Sequence, residues 1–202
     1  MVRVKYWLAA VAASLMSLAA CTSHSVSEGG SLGSGTPVPT SSPYTVRIGP
    51  YTQVYSTPLP QDPAQARVIA DFRTAQTLWG KSNEALRMVA PVAGYVTGKA
   101  LSDLNGALKT ANSNDYVPAG IERFFSTRVT QISKSGATIT TCDDGSKYRT
   151  RNLRTGEDLP PPPASQLYIL LTWDMVPLAG HWAIANFSVI SLPDHRAAVC
   201  QP

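Results

Sequence analysis

Apolar residues recur through the middle of the chain at helical spacing: Val68, Phe72, Ala75 and Trp79 fall four, three and four apart. That period puts them on one face of an amphipathic helix. Asp62 followed by Pro63 supplies the start, a capping carboxylate before proline at the first helical position. Gly80 is read as a bend or an end, with Asn83–Val89 as a short continuation. Leu101, Leu104, Leu108 and Ala111 repeat the pattern behind Thr97, a second N-cap candidate.

The period then changes from helical to alternating. Arg128–Ile132 and Ala137–Cys142 are β-branched runs separated by Lys134–Ser135–Gly136, a hairpin signal. Asp143–Asp144–Gly145 marks another turn before Ser146–Arg151. Beyond the Pro160–Pro163 loop, Gln166–Met175 and Trp182–Leu192 read as long strands joined through Pro177–Gly180. In the last strand Trp182, Ile184, Asn186, Ser188 and Ile190 share one face, and Ala183, Ala185, Phe187 and Val189 the other. Helices followed by antiparallel strands predict an α+β fold with helices packed on one face of a curved sheet.

The N-terminus follows neither period. Arg3 and Lys5 precede an uncharged apolar run, Tyr6–Leu18, and small residues close it. This is the layout of a secretory signal peptide. As a helix the run would reach about 20 Å, short of the roughly 30 Å hydrocarbon core of a bilayer. Leu18–Ala19–Ala20–Cys21 has the form of a bacterial lipobox, which makes Cys21 the lipidated first residue of the mature chain and predicts a palmitate-type anchor. Thr22–Pro43 is dominated by Gly, Ser, Thr and Pro, and reads as a flexible tether spanning about 25–28 Å. The chain therefore divides into a signal peptide over residues 1–20, a lipidated cysteine and tether over 21–48, and an α+β domain over 49–202.

Charge and cysteines then sharpen the picture. The formal net charge is +4, but cleavage removes Arg3 and Lys5 and leaves +2. A nearly neutral domain argues against a nucleic-acid partner. Once Cys21 is lipidated, Cys142 and Cys200 remain as an even pair in an exported domain, most simply a disulfide. It would close a loop of about 59 residues and contribute roughly 4 kcal/mol through chain entropy.

Several residues together resemble a known family. They are the lipobox and tether, the helix with Phe72 and Trp79, and Thr97–Gly98–Lys99–Ala100–Leu101–Ser102 opening the next helix. Thr140–Thr141–Cys142–Asp143–Asp144, Lys147–Tyr148–Arg149, His181–Trp182–Ala183–Ile184 and a terminal Cys200 complete the set. The chain resembles secreted actinobacterial lipoproteins with an NTF2-like (SnoaL-like) domain. The resemblance implies a cone with a pocket between the helices and the concave sheet, suited to a small apolar ligand. Tyr168 and Asn186 are the candidate pocket residues.

Enzymes on such a fold, of ketosteroid isomerase or polyketide cyclase type, pair a base with an oxyanion donor. Here that chemistry would use Asp103, Asp115 or Asp174 as base with Tyr116 or Tyr168 as donor, yet no catalytic signature surrounds any of them. His181 lies at a turn, where an exposed or capping role is the common one. With His24 in the tether and few histidines elsewhere, neither a metal nor another cofactor is expected. Lys147, Arg149 and Arg151, with Arg154 beyond, form a basic strand. It reads either as a contact for anionic headgroups or cell-wall polymers, or as a charged edge that blocks pairing. Trp79, Trp173 and Trp182 are expected in the core. The resulting expectation is a module lipid-anchored on the extracytoplasmic side of the cell membrane, binding a small ligand or an envelope protein. A pocket enzyme and a purely structural envelope protein are the alternatives.

Overall fold

The computed structural model describes residues 43–191 and 194–201. Cys21 and the expected signal peptide therefore lie outside the described residues. The first element, β1 (Tyr44–Ile48), moves the tether boundary. It forms an antiparallel hairpin with β2 (Tyr51–Tyr55), Tyr44 opposite Tyr55 and Ile48 opposite Tyr51. The reason is local: Tyr51, Gln53 and Tyr55 alternate as a buried face, and Ile48 is buried beside them. The segment Tyr44–Ile48, read from sequence as tether, is therefore part of the sheet.

Helix α1 (Pro63–Glu84) starts as the sequence predicts, with the Asp62 carboxylate accepting from the Gln65 backbone N–H at 2.8 Å. Val68, Phe72, Ala75 and Trp79 are all buried on its inner face. Gly80 does not end the helix. A Cβ there would lie 2.9 Å from Ile48 Cδ1, so the glycine lets the β1–β2 hairpin approach. A short helix that the periodicity does not reveal, α2 (Val92–Tyr95), precedes α3 (Gly98–Asn114). Thr97 sits at the α3 N-cap, but its side chain makes no capping bond.

The remaining strands are β3 (Tyr116–Ile132), β4 (Ala137–Asp144), β5 (Tyr148–Asn152), β6 (Tyr168–Leu178) and β7 (His181–Ile190). They form a sheet in the order β1-β2-β3-β4-β6-β7, with β5 pairing β3. Neighbours run antiparallel except β2 and β3, which are parallel because the crossover through α1, α2 and α3 lies between them. Register shifts between Phe125 and Arg128 and between Val129 and Gln131 bend the long β3, with Ser126 at φ +52° in the first. Helices α1, α2 and α3 pack against one face, chiefly on β7 and β3. The fold is thus α+β, with helices on a curved sheet, as expected.

Aromatic rings fill the layer between helix and sheet. Trp79 meets Trp173 edge-on with centroids 6.4 Å apart, and Trp173 meets Phe187 at 4.9 Å. Phe72 bridges to Phe124 at 6.5 Å and to Trp173 at 5.6 Å. Trp182 is half-buried against the same cluster.

Candidate functional site

Two places concentrate polar chemistry against apolar surroundings. The first lies inside the domain. Alternation along β2 turns Tyr51, Gln53 and Tyr55 inward, and the same alternation on β3 brings in Glu122 beside Phe124. The Tyr51 hydroxyl donates to Glu122 Oε2. Gln53 Nε2 donates to Tyr51 Oη at 3.1 Å and to the Gln76 carbonyl at 3.2 Å, while Tyr55 Oη donates to Gln53 Oε1 at 3.2 Å. Burial pushes the Tyr55 phenol well above its ordinary pKa, so the ring stays a neutral donor. On β4 the Thr141 hydroxyl lies 2.7 Å from that of Thr127, and Asp143 is buried next along the strand. Neither amide atom of Gln76 has a hydrogen-bond partner among the described residues, and the same holds for both Nε1 atoms of Trp79 and Trp173.

The second place is a cleft of about 360 Å³ at the end of the β1–β2 hairpin, lined by Tyr44, Tyr55, Ser56, Thr57, Pro58, Leu59 and Arg73. The Arg73 guanidinium carbon sits 5.5 Å from the Tyr44 ring centre and 5.6 Å from that of Tyr55. Its Nη2 donates to the Thr57 carbonyl. Burial lowers the Arg73 pKa, and the two tyrosines oppose that shift.

The residues singled out from sequence do not converge. Tyr168 lies outside the helix-covered layer, because Ile169, Leu171, Trp173 and Met175 take the inner face of β6. Asn186 is also on the outer face, donating to Asp174 Oδ2 at 3.2 Å. The register explains this: Asp174 pairs with Asn186 but Met175 with Ile184, so Ala185 is an extra residue. That bulge splits the expected face, leaving Ile184 inside and Asn186 outside. The pair therefore does not line a pocket under the helices.

The acid–base candidates are spent elsewhere. Asp103 pairs with Lys99 at 2.5 Å on the same helix. Asp115 adopts a left-handed backbone after α3 and pairs with Arg154 at 2.5 Å. Tyr116 opens β3 beyond that turn. His181 Nε2 donates to the Gly94 carbonyl at 2.6 Å and stacks on Tyr95, fastening α2 to the β6–β7 hairpin.

The basic strand is neutralised in part. Arg151 pairs with Asp158 at 2.8 Å and Arg154 with Asp115, while Arg149 donates to the uncharged Ser146 and Tyr148 carbonyls. Of the named strands β5 pairs only β3, the position of an edge. Cys142 and Cys200 form a disulfide, their Cα atoms 5.3 Å apart. The bond ties the last short helical turn, His195–Cys200, to the outer face of β4 and β6. Among the described residues no cluster of His, Cys, Asp and Glu could hold a metal ion.

What sequence reasoning missed is Glu122, the β2 residues and Arg73. The alternation of Tyr51, Gln53 and Tyr55 was available as a signal. Glu122 looks like a surface residue until β3 is seen to start near Tyr116.

No family model matches the chain, and no curated protein matches it. Among solved structures it is similar to the intermembrane space region of chloroplast protein ARC6, at 10% identity and TM-score 0.43, over 60% of this chain and 95% of that one. It is also similar to a ketosteroid isomerase-like protein from Erwinia carotovora atroseptica, at 15% identity and TM-score 0.43, over 65% of this chain and 98% of that one. A third is Aln2 from Streptomyces, at 13% identity and TM-score 0.40, over 71% and 100% respectively. Identities this low do not say which residues act.

Proposed function

We propose that the chain is a recognition module, lipid-anchored through Cys21 on the extracytoplasmic side of the cell membrane. Its partner is a small ligand or an envelope component met at the domain surface. The observation that carries this reading is the row of buried rings from Trp79 through Trp173 to Phe187, standing where a deep ligand pocket would lie. A domain packed in this way recognises at its clefts rather than in its interior. The Cys142–Cys200 disulfide fits an oxidising compartment, and the lipobox ending at Cys21 supplies the anchor. Metabolic labelling with a palmitate analogue, followed by membrane fractionation, tests the anchor. Label and membrane association are both expected to vanish in Cys21→Ser, and a variant that stays membrane-bound would sink the reading.

One observation favours a second reading, a pocket enzyme. Glu122 is a buried carboxylate with the Tyr51 phenol beside it, the two group types that proton abstraction beside a carbonyl uses once the phenol turns from the carboxylate to the substrate oxygen. Deuterium exchange into enolisable ketones, compared between the wild type and Glu122→Gln, decides it. Equal exchange in the two removes the enzyme.

A further inference from the structure

The cleft beside the β1–β2 hairpin holds a cation with no anionic partner among the described residues. Arg73 follows Phe72 on α1, so the helix that sends the Phe72 ring into the core turns the guanidinium toward the hairpin. Arg73 belongs to none of the five ion pairs among the described residues. Among the described residues its hydrogen bond runs from Nη2 to the Thr57 carbonyl. A guanidinium carries five N–H donors in a planar fork, and among the described residues Nε and Nη1 have no hydrogen-bond partner. Half-burial strips water from this charge, and two tyrosine rings compensate only in part.

The surroundings are apolar and held in place. The Tyr55 ring stacks on Phe124 at 5.2 Å and forms a fixed floor. The Ser56 N–H donates to the Phe124 carbonyl, and the Thr57 hydroxyl accepts from the Thr127 N–H, both at 2.9 Å, which pins the rim to β3. Tyr44 and Leu59 flank the opening and are 49% and 46% exposed, large apolar side chains left in water beside the unpaired cation.

From this juxtaposition we infer that the cleft is a binding site for an oxyanion carried on a flat apolar body, such as an aryl carboxylate or aryl phosphate. The anion bridges the free edge of the Arg73 fork, where charge-assisted bonds are strong and geometrically specific. The flat body lies along the exposed Tyr44 ring and covers Leu59, with the buried Tyr55 ring fixing Arg73 from below. The inference deepens the recognition reading by naming a ligand class. It does not depend on the anchor, so its failure would leave the Cys21 result standing.

Titration of the mature chain in detergent, followed through NMR signals of labelled tyrosines, tests it. Phenyl phosphate and benzoate are the probes, with inorganic phosphate and benzylamine as controls. Saturable binding of both probes is expected, at least about tenfold tighter than inorganic phosphate, with no response to benzylamine. Arg73→Gln should weaken binding about tenfold or more. Tyr44→Ala, at an exposed position that leaves the core intact, should weaken it about threefold. The site is disproved by probes that do not saturate below about 10 mM, by inorganic phosphate binding as tightly as phenyl phosphate, or by unchanged affinity in both variants.

Discussion

Gln76 shows how a single side chain departs from the pattern around it. It is fully buried on α1, one turn before Trp79 and Gly80, and its carbonyl serves Gln53. Its amide atoms, however, have no partner among the described residues. A buried unpaired amide costs free energy that an apolar side chain of similar size would not. Gln76→Leu is therefore expected to raise stability by about 1 kcal/mol, read as a higher urea midpoint at unchanged slope. A lower midpoint would mean that the amide is satisfied in solution. Arg73 was illegible for a related reason. One arginine on an amphipathic helix looks like a solvated face, and only the hairpin folding over it removes the water.

At the scale of elements, β3 organises the sheet, and Gly120 is the residue that lets it. Gly120 pairs with Tyr51 of β2 on one side and with Tyr148 of β5 on the other. Its backbone is left-handed at φ +77°, and an added Cβ would fall 2.2 Å from the Lys147 carbonyl oxygen. Neither strain nor clash can be relieved by a side-chain rotation, since the obstacle is backbone. Gly120→Ala should therefore cost about 3 kcal/mol or more in denaturant unfolding, and a cost below about 1 kcal/mol would contradict this account. The β7 bulge teaches a second lesson at this scale. Alternation correctly marks the strand, but one extra residue at Ala185 reverses which side chains face the helices beyond it. No local pattern announces such an insertion, because it is set by the partner strand.

Across the whole molecule the disulfide ties the last short helical turn to the middle of the sheet. Cys142 lies on the face away from the helices, and Cys200 arrives from the short final turn, 58 residues later. Replacing both with serine should lower unfolding free energy by up to about 4 kcal/mol, measured by urea denaturation against the oxidised parent. A double variant as stable as the parent would show that helix–sheet packing alone holds the terminus.

What the amino-acid sequence determined by itself was local in origin. The two long helices, the Asp62 cap, the β3–β4 hairpin, the paired strands β6 and β7 and the cysteine pairing follow from period, turn chemistry and residue count. So did the α+β class, since helices and strands occupy separate stretches of chain. The N-terminal hairpin, the parallel β2–β3 pairing, the inward Glu122 and the unpaired Arg73 were decided by tertiary structure. Each depends on which distant segment lies opposite: burial and charge compensation are properties of neighbours in space, and the side facing the core is fixed only when the sheet's register is.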